Sequence, residues 1–285
     1  MNSEKIAILA DSGCDVPDEL LKADNFYTIP LKIIYKDGDY TDKVDITAEE
    51  IYAKLPTEIP KTSLPEGSVI NDLFEKIAAC GFEKVIVVTI SSGLSGTFNS
   101  VRLAAANFKS LEIFMLDTKN IGIGAGVQAV HAAELVNSGA SFDEITQKLT
   151  DDITKSKIFF NVATLEYLQK GGRIGLVTSI LGNALKLNPI ISCNDDGVYY
   201  IVAKSRGRKK SLEKSVQLVK EFIGNHQKFR LVVAHGGALE EGLEIVETLK
   251  NMFPHAIEVL FGQISPALVV HTGPGLIGLG AQILD

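Results

Sequence analysis

The chemistry-bearing residues crowd most densely into Ser91-Ser92-Gly93-Leu94-Ser95-Gly96-Thr97. Three serines and a threonine share one turn with two glycines, which let the backbone bend tightly and approach a ligand. Hydroxyls beside the free N–H groups of a helix start favour an anion, a carboxylate or a phosphate. A plainer use is for Ser95 to cap the helix. Two catalytic patterns fail here. A nucleophile elbow needs Gly-x-Ser-x-Gly, and Thr97 stands where the last glycine belongs. A phosphate loop needs a lysine before its final Ser or Thr, and this turn has none.

Lys61-Thr62-Ser63-Leu64-Pro65 reads as a second hydroxyl-rich loop at a helix start, with Pro65 opening a helix to Ala79. Asp11-Ser12 follows the first strand. Asp11 there suits a metal ligand or a phosphate acceptor, or, more simply, a loop cap lining a cleft. Arg173 sits in the Gly-rich turn 171–175. Lys204, Arg206, Arg208, Lys209, Lys210 and Lys214 form a basic run at a helix start, where the helix dipole disfavours cations. That conflict points to an anionic partner, or to a solvated surface. His271 is expected at a strand end beside a glycine turn, as a structural residue or as a carboxylate partner made cationic near neutral pH.

These residues need a frame. Lys84–Ile90 is an apolar, β-branched run of buried-strand type, and 98–108 carries helical spacing. Strands are expected at 6–10, 26–35, 84–90 and 112–116, alternating with helices after Pro17, Thr47, Pro65, Thr97, Gly122 and Ser141. Thr47-x-x-Glu50 and Ser141-x-x-Glu144 are capping boxes. Such alternation defines an α/β lobe with a largely parallel sheet. Gly122, Gly124 and Gly126 do not make a dinucleotide fingerprint; close helix packing is their expected use. A second lobe starts near Lys157: a strand at 158–163, a short helix at 165–170, an apolar helix at 176–187, a hairpin around Asp195-Asp196-Gly197, a strand at 229–235, a helix to Asn251, strands at 257–261 and 267–270, and a Gly-rich tail.

The chain has 285 residues, 46% hydrophobic and 22% charged, enough for a full core across two lobes. A net charge of −7 argues against a surface given over to nucleic acid. The three cysteines, Cys14, Cys80 and Cys193, make no metal pair or disulfide framework, which fits a reducing compartment and a cytoplasmic setting. The N-terminal apolar run is too short for a signal peptide, and no run approaches a membrane span.

Taken in order, Asp11-Ser12, Lys61-Thr62-Ser63, Ser91 to Thr97, Lys170-Gly171-Gly172-Arg173-Ile174, Arg206 and His271-Thr272-Gly273-Pro274-Gly275 resemble the DegV family of bacterial fatty-acid-binding proteins, over about Lys5 to Leu284. The resemblance implies one DegV domain (5–284) with lobes of about 1–156 and 157–285. A largely parallel sheet is expected in the first lobe and a mixed α/β arrangement in the second, with a ligand tunnel between or within them. It implies one bound long-chain fatty acid, for example palmitate, and no other cofactor, metal or catalytic residue. Thr62 and Ser95 would bond the carboxylate, with His271 beside it. Ser63, Ser92, Gly96, Arg173 and Arg206 would lie near the head group or face a partner. Leu64 stands where relatives often carry a polar residue. The implied partner is a separate fatty acid kinase that makes the acyl phosphate for phospholipid synthesis; no nucleic acid, and at most transient membrane contact, is implied.

The chemistry agrees with that expectation. A carboxylate is all acceptor, so hydroxyl donors suit it, and burying it without a nearby cation is costly. A tail of about fourteen methylenes gives on the order of 11 kcal/mol gross on burial, much of it offset by ordering. The competing class is an enzyme, a serine hydrolase using Ser95 or a phosphotransferase using Asp11. The first lacks the elbow glycine, the second a nucleotide motif.

Overall fold

The computed structural model describes residues 2–175, 177 and 187–285. In chain order the first part runs β1 (Ile6–Asp11), α1 (Asp18–Leu21), β2 (Phe26–Ile29), β3 (Lys32–Tyr35), β4 (Gly38–Thr41), α2 (Ala48–Lys54), β5 (Lys61–Ser63), α3 (Gly67–Ala79), β6 (Lys84–Thr89), α4 (Thr97–Ala106), β7 (Glu112–Asp117), α5 (Ile123–Asn137) and α6 (Phe142–Asp151). The second part runs β8 (Ser156–Asn161), α7 (Glu166–Lys170), β9 (Leu187–Cys193), β10 (Tyr199–Arg206), α8 (Arg208–Ile223), β11 (Phe229–Gly236), α9 (Leu239–Met252), β12 (Val259–Gln263), α10 (Pro266–Thr272) and β13 (Leu276–Ile283). The apolar helix expected over 176–187 falls outside the described residues, except that Val177 is buried and Leu187 opens β9.

β2-β1-β6-β7 form a wholly parallel sheet, and β10-β9-β8-β13-β11-β12 a mixed one. The fold is thus α/β, with a parallel sheet in the N-terminal region and a mixed one in the C-terminal region. β4-β3-β5 make a small antiparallel sheet beside them. Continuous apolar runs such as β1, buried along its whole length, are what a sheet covered on both faces requires. One apolar cluster reaches from Ile8 and Ile86 in the parallel sheet to Phe160 and Ala234 in the mixed sheet, so the two sheets share a core. Both expected capping boxes form, at Thr47 with Glu50 and at Ser141 with Glu144. No helix among the described residues is long and apolar enough to cross a membrane.

Four expectations are corrected. The strand read as 26–35 is two strands in different sheets, because Pro30 supplies no N–H to continue a ladder. Thr62 and Ser63 lie on β5, paired with β3, and not in a helix-start loop. The stretch 267–270 is helical, within α10, started by Ser265 as cap and Pro266 in the first turn. The Gly-rich tail is β13, fully buried between β8 and β11. Glycine is needed there: a Cβ on Gly280 would lie 2.0 Å from the Lys157 carbonyl oxygen. The packing role expected for the α5 glycines holds, since a Cβ on Gly126 would stand 2.1 Å from the Cys14 carbonyl oxygen.

Candidate functional site

Between the two sheets lies a cavity of about 260 Å3. Its walls come from sequence-distant elements: Ile90 after β6, Ile123 at the start of α5, Ile158 and Phe160 on β8, Ala234 on β11, and Ala267 and Leu268 on α10. Gly278 on β13 faces it without a side chain, widening it. Polar groups gather at one end: Thr62, Ser63, Ser95, Arg173 and His271. Along α10 the lining passes from Ile264, just before the helix, through Ala267 and Leu268 to His271 in its last turn. With a rise of about 1.5 Å per residue, Ala267 and His271 are about 6 Å apart along that helix, and Ile264 lies beyond its start.

The polar end is built by contacts that cross the molecule. Thr62 Oγ1 lies 2.7 Å from His271 Nε2. Arg173 Nη1 donates to the Gly171 carbonyl at 2.8 Å, and its Nε reaches the Leu94 carbonyl of the serine-rich turn at 3.4 Å. Ser91 Oγ donates to the Gly197 carbonyl at 2.8 Å, tying the same turn to the β9–β10 hairpin. Ser95 Oγ is 2.8 Å from Thr97 Oγ1 and accepts from Thr97 N at 3.3 Å. It therefore does some of the capping its position suggested, while also facing the cavity.

His271 is not the cation the sequence suggested. Burial, and then the charge of Arg173, push its imidazole down to about 3, so it is neutral at neutral pH. The positive charge at this end belongs to Arg173. Gly171 makes room for the ring, since a Cβ there would meet His271 Nδ1 at 2.1 Å.

Thus Thr62, Ser63, Ser95, Arg173 and His271 converge. Ser92, Gly96 and Arg206 do not line the cavity. Ser92 Oγ donates to Asp117 and accepts from Lys119 Nζ at 3.2 Å. Burial works against the Asp117 charge, but Lys119 and Ser92 outweigh it and hold the carboxyl below its usual range. Gly96 precedes α4 and packs under the side chain of Leu64, which does line the cavity. Arg206 is exposed at the end of β10. Leu268 and Ala267 were missed because 267–270 was read as a strand, and the Ser265-Pro266 start signal could have found the helix; Ile264, just before it, carried no signal.

Neither catalytic alternative gains support. His271 Nε2 is engaged by Thr62, and Ser95 by Thr97, so no serine–histidine hydrogen bond forms among the described residues. Asp11 is buried, with Oδ1 accepting from Gly13 N and Oδ2 from Ile90 N. It is the loop cap of the plainer reading. Burial outweighs those hydrogen bonds and pushes its carboxyl up to about 7.

Fold and site together define an α/β protein with a buried apolar pocket closed at one end by hydroxyls and an arginine, the makings of a receptor for an amphipathic anion. The chain belongs to the DegV family: the model described as "Uncharacterised protein, DegV family" matches residues 5–283. It is 40% identical over 277 residues to a DegV domain-containing protein of Clostridium acetobutylicum, covering 97% of this chain and 98% of that one. Among solved structures it superimposes on a fatty-acid-binding DegV family protein of Thermus thermophilus with a TM-score of 0.92, at 27% identity and full coverage of both chains. DegV of Bacillus subtilis, described as a fatty acid binding protein, gives 0.90 at 28% identity, again with full coverage. A stearic-acid-binding protein of Eubacterium ventriosum gives 0.88 at 29% identity, with 98% of each chain covered.

Proposed function

We propose that this protein binds one long-chain fatty acid, with the tail in the cavity between the sheets and the carboxylate against Thr62, Ser95 and His271. The observation that carries the reading is a largely apolar cavity in whose wall Thr62 meets His271 and Arg173 reaches the serine-rich turn that bears Ser95. Arg173 offsets the carboxylate's charge, and neutral His271 acts as a donor. With its proton on Nε2 it donates to Thr62 Oγ1, freeing the Thr62 hydroxyl proton for the carboxylate. Burial of methylenes supplies most of the affinity, and the hydroxyls set the orientation.

Native mass spectrometry of protein purified from cells, with lipid extraction after denaturation, tests this directly. One fatty acid per chain is expected; a chain free of lipid that also fails to take up added acid overturns it. The head-group roles are tested by Thr62→Ala with Ser95→Ala. Each lost hydrogen bond to a charged group is expected to cost roughly 1.5–3 kcal/mol, about tenfold or more in Kd. Unchanged affinity in a folded double variant removes the assignment.

The finer reading is a carrier: the protein presents its acid to a separate fatty acid kinase in the cytoplasm, which forms the acyl phosphate for phospholipid synthesis. Its support is the family resemblance together with exposed cations, Lys204, Arg206, Lys209 and Lys210, on one segment of a chain of net charge −7. Ser63, which lines the cavity beside Thr62, belongs to the head-group region in this reading, and Ser92 and Gly96, which do not line it, to the partner-facing surface. The lobe division near 156–157 belongs to the same reading, since the parallel sheet ends with β7 and the mixed sheet begins with β8.

A further inference from the structure

A second cavity, of about 670 Å3, opens among the start of α1, the segment 43–50 and the segment 261–266. Among the described residues, two side chains line both it and the acyl cavity: Ile123 and Ile264. Both are buried. Ile264 precedes α10 and His271 lies in its last turn, which sets Ile264 at the end of the acyl cavity remote from His271, and Ile123 shares the wall to the second cavity with it. The partition they form is thin. Gly122 lines the acyl cavity, and a Cβ built on it would lie 3.3 Å from Asp15 Oδ2, whose own side chain lines the second cavity. The two spaces differ in character. The first is lined by apolar side chains away from its polar end; the second is faced by Asp18, Glu19, Asp45 and Glu49 and by the Asp15–Lys43 ion pair at 3.1 Å.

We propose that Ile123 and Ile264 are the end wall of the acyl site and set the longest chain it accepts. This rests on the fatty acid reading above. Volume makes the wall decisive. A dry cavity of about 150 Å3 takes a benzene ring, so on that scale the 260 Å3 here holds about ten carbons. A chain that fills this space presses its tail against the far end. A longer chain would have to displace the two isoleucines and put its terminal methylenes among carboxylates, forfeiting the transfer free energy that holds it. The wall thus selects by closing the apolar space and by what lies behind it.

The experiment is competition binding of a saturated series from lauric to behenic acid. Ile123→Ala with Ile264→Ala lengthens the apolar space by the volume of the truncated side chains, and the preferred length is expected to move upward by at least one two-carbon step. Each extra buried methylene gains up to about fourfold. Ile123→Phe fills the end and is expected to move the preference to shorter acids, which keeps the idea testable should the double alanine variant fail to fold. A preferred length unchanged in folded, lipid-binding variants overturns the wall. If the unaltered protein binds no acid of the series, the fatty acid reading itself falls, and the wall with it.

Discussion

Glycine at 171 and histidine at 271 form one unit at the residue scale, because the ring occupies the space a side chain at 171 would need. Gly171→Ala is expected to displace the imidazole from Thr62 and to weaken fatty acid binding about as much as Thr62→Ala, read by titration with a fluorescent fatty acid. Equal affinities for Gly171→Ala and wild type would show that the Thr62–His271 contact does not matter. The buried imidazole also leaves a pH signature. Its ordinary value is near 6.5, and in the fold it falls to about 3. Between those values the unfolded chain holds the extra proton, so this contribution to stability is whole above pH 6.5 and is lost as pH falls toward 3. The buried Asp11 and Asp15 carboxyls, raised to about 7 and about 6, act with the opposite sign as pH rises through that range. The difference between wild type and His271→Gln isolates the imidazole. Denaturant unfolding of the ligand-free proteins from pH 4 to 7 is expected to show wild type gaining on the variant as pH rises. A constant gap rules out a depressed imidazole.

At the scale of elements, the glycines separate into those that hold packing and those that do not. Gly126 lets α5 lie against the Cys14 carbonyl, whereas a Cβ on Gly67, at the start of α3, meets nothing within 4 Å. Gly126→Ala is expected to destabilise by about 1–3 kcal/mol or more through overpacking. Gly67→Ala is expected to stabilise by about 0.4–1 kcal/mol by restricting the unfolded chain. A pair of melting curves checks both, and a neutral Gly126→Ala would remove the close-packing account. The same elements show what a sequence discloses. Buried parallel strands and the two capping boxes were legible because their cues are local: continuous β-branched runs, and a hydroxyl three residues before a glutamate. The hydroxyls of the site were legible as motifs. Their meeting was not, since Thr62 and His271 are 209 positions apart and only the pairing of β5 with β3 and the run of α10 bring them together. β13 was hidden because its glycines lower strand propensity while answering a neighbour's backbone. α10 was hidden because Val269-Val270 outweighed its start signal. The cavity's tail end was illegible throughout, for its lining is one or two residues from each of many elements.

Charge is distributed unevenly over the whole molecule, and the structure sorts the basic run into two kinds of residue. Arg208 is structural: its Nε donates to both Glu241 oxygens, at 3.0 and 2.9 Å, and its Nη2 to the Gly275 carbonyl at 2.6 Å, which fastens α8 to α9 and to the turn before β13. Reversing its charge would break that junction and say nothing about partners. Arg206, Lys209 and Lys210 are exposed. A patch of one sign on a chain of net charge −7 steers an oppositely charged partner more than it stabilises the fold. Reversing Arg206, Lys209 and Lys210 to glutamate while keeping Arg208 is therefore expected to leave the melting temperature and the fatty acid Kd nearly unchanged. On the proposed carrier role, acyl phosphate formation by a fatty acid kinase is expected to slow at low protein concentration and recover as concentration rises, because the loss lies in encounter and not in chemistry. Salt should slow the wild-type reaction and have less effect on the variant. If the triple variant supports such a kinase at low concentration as well as wild type does, these cations are a solvated surface and the proposed docking role is wrong.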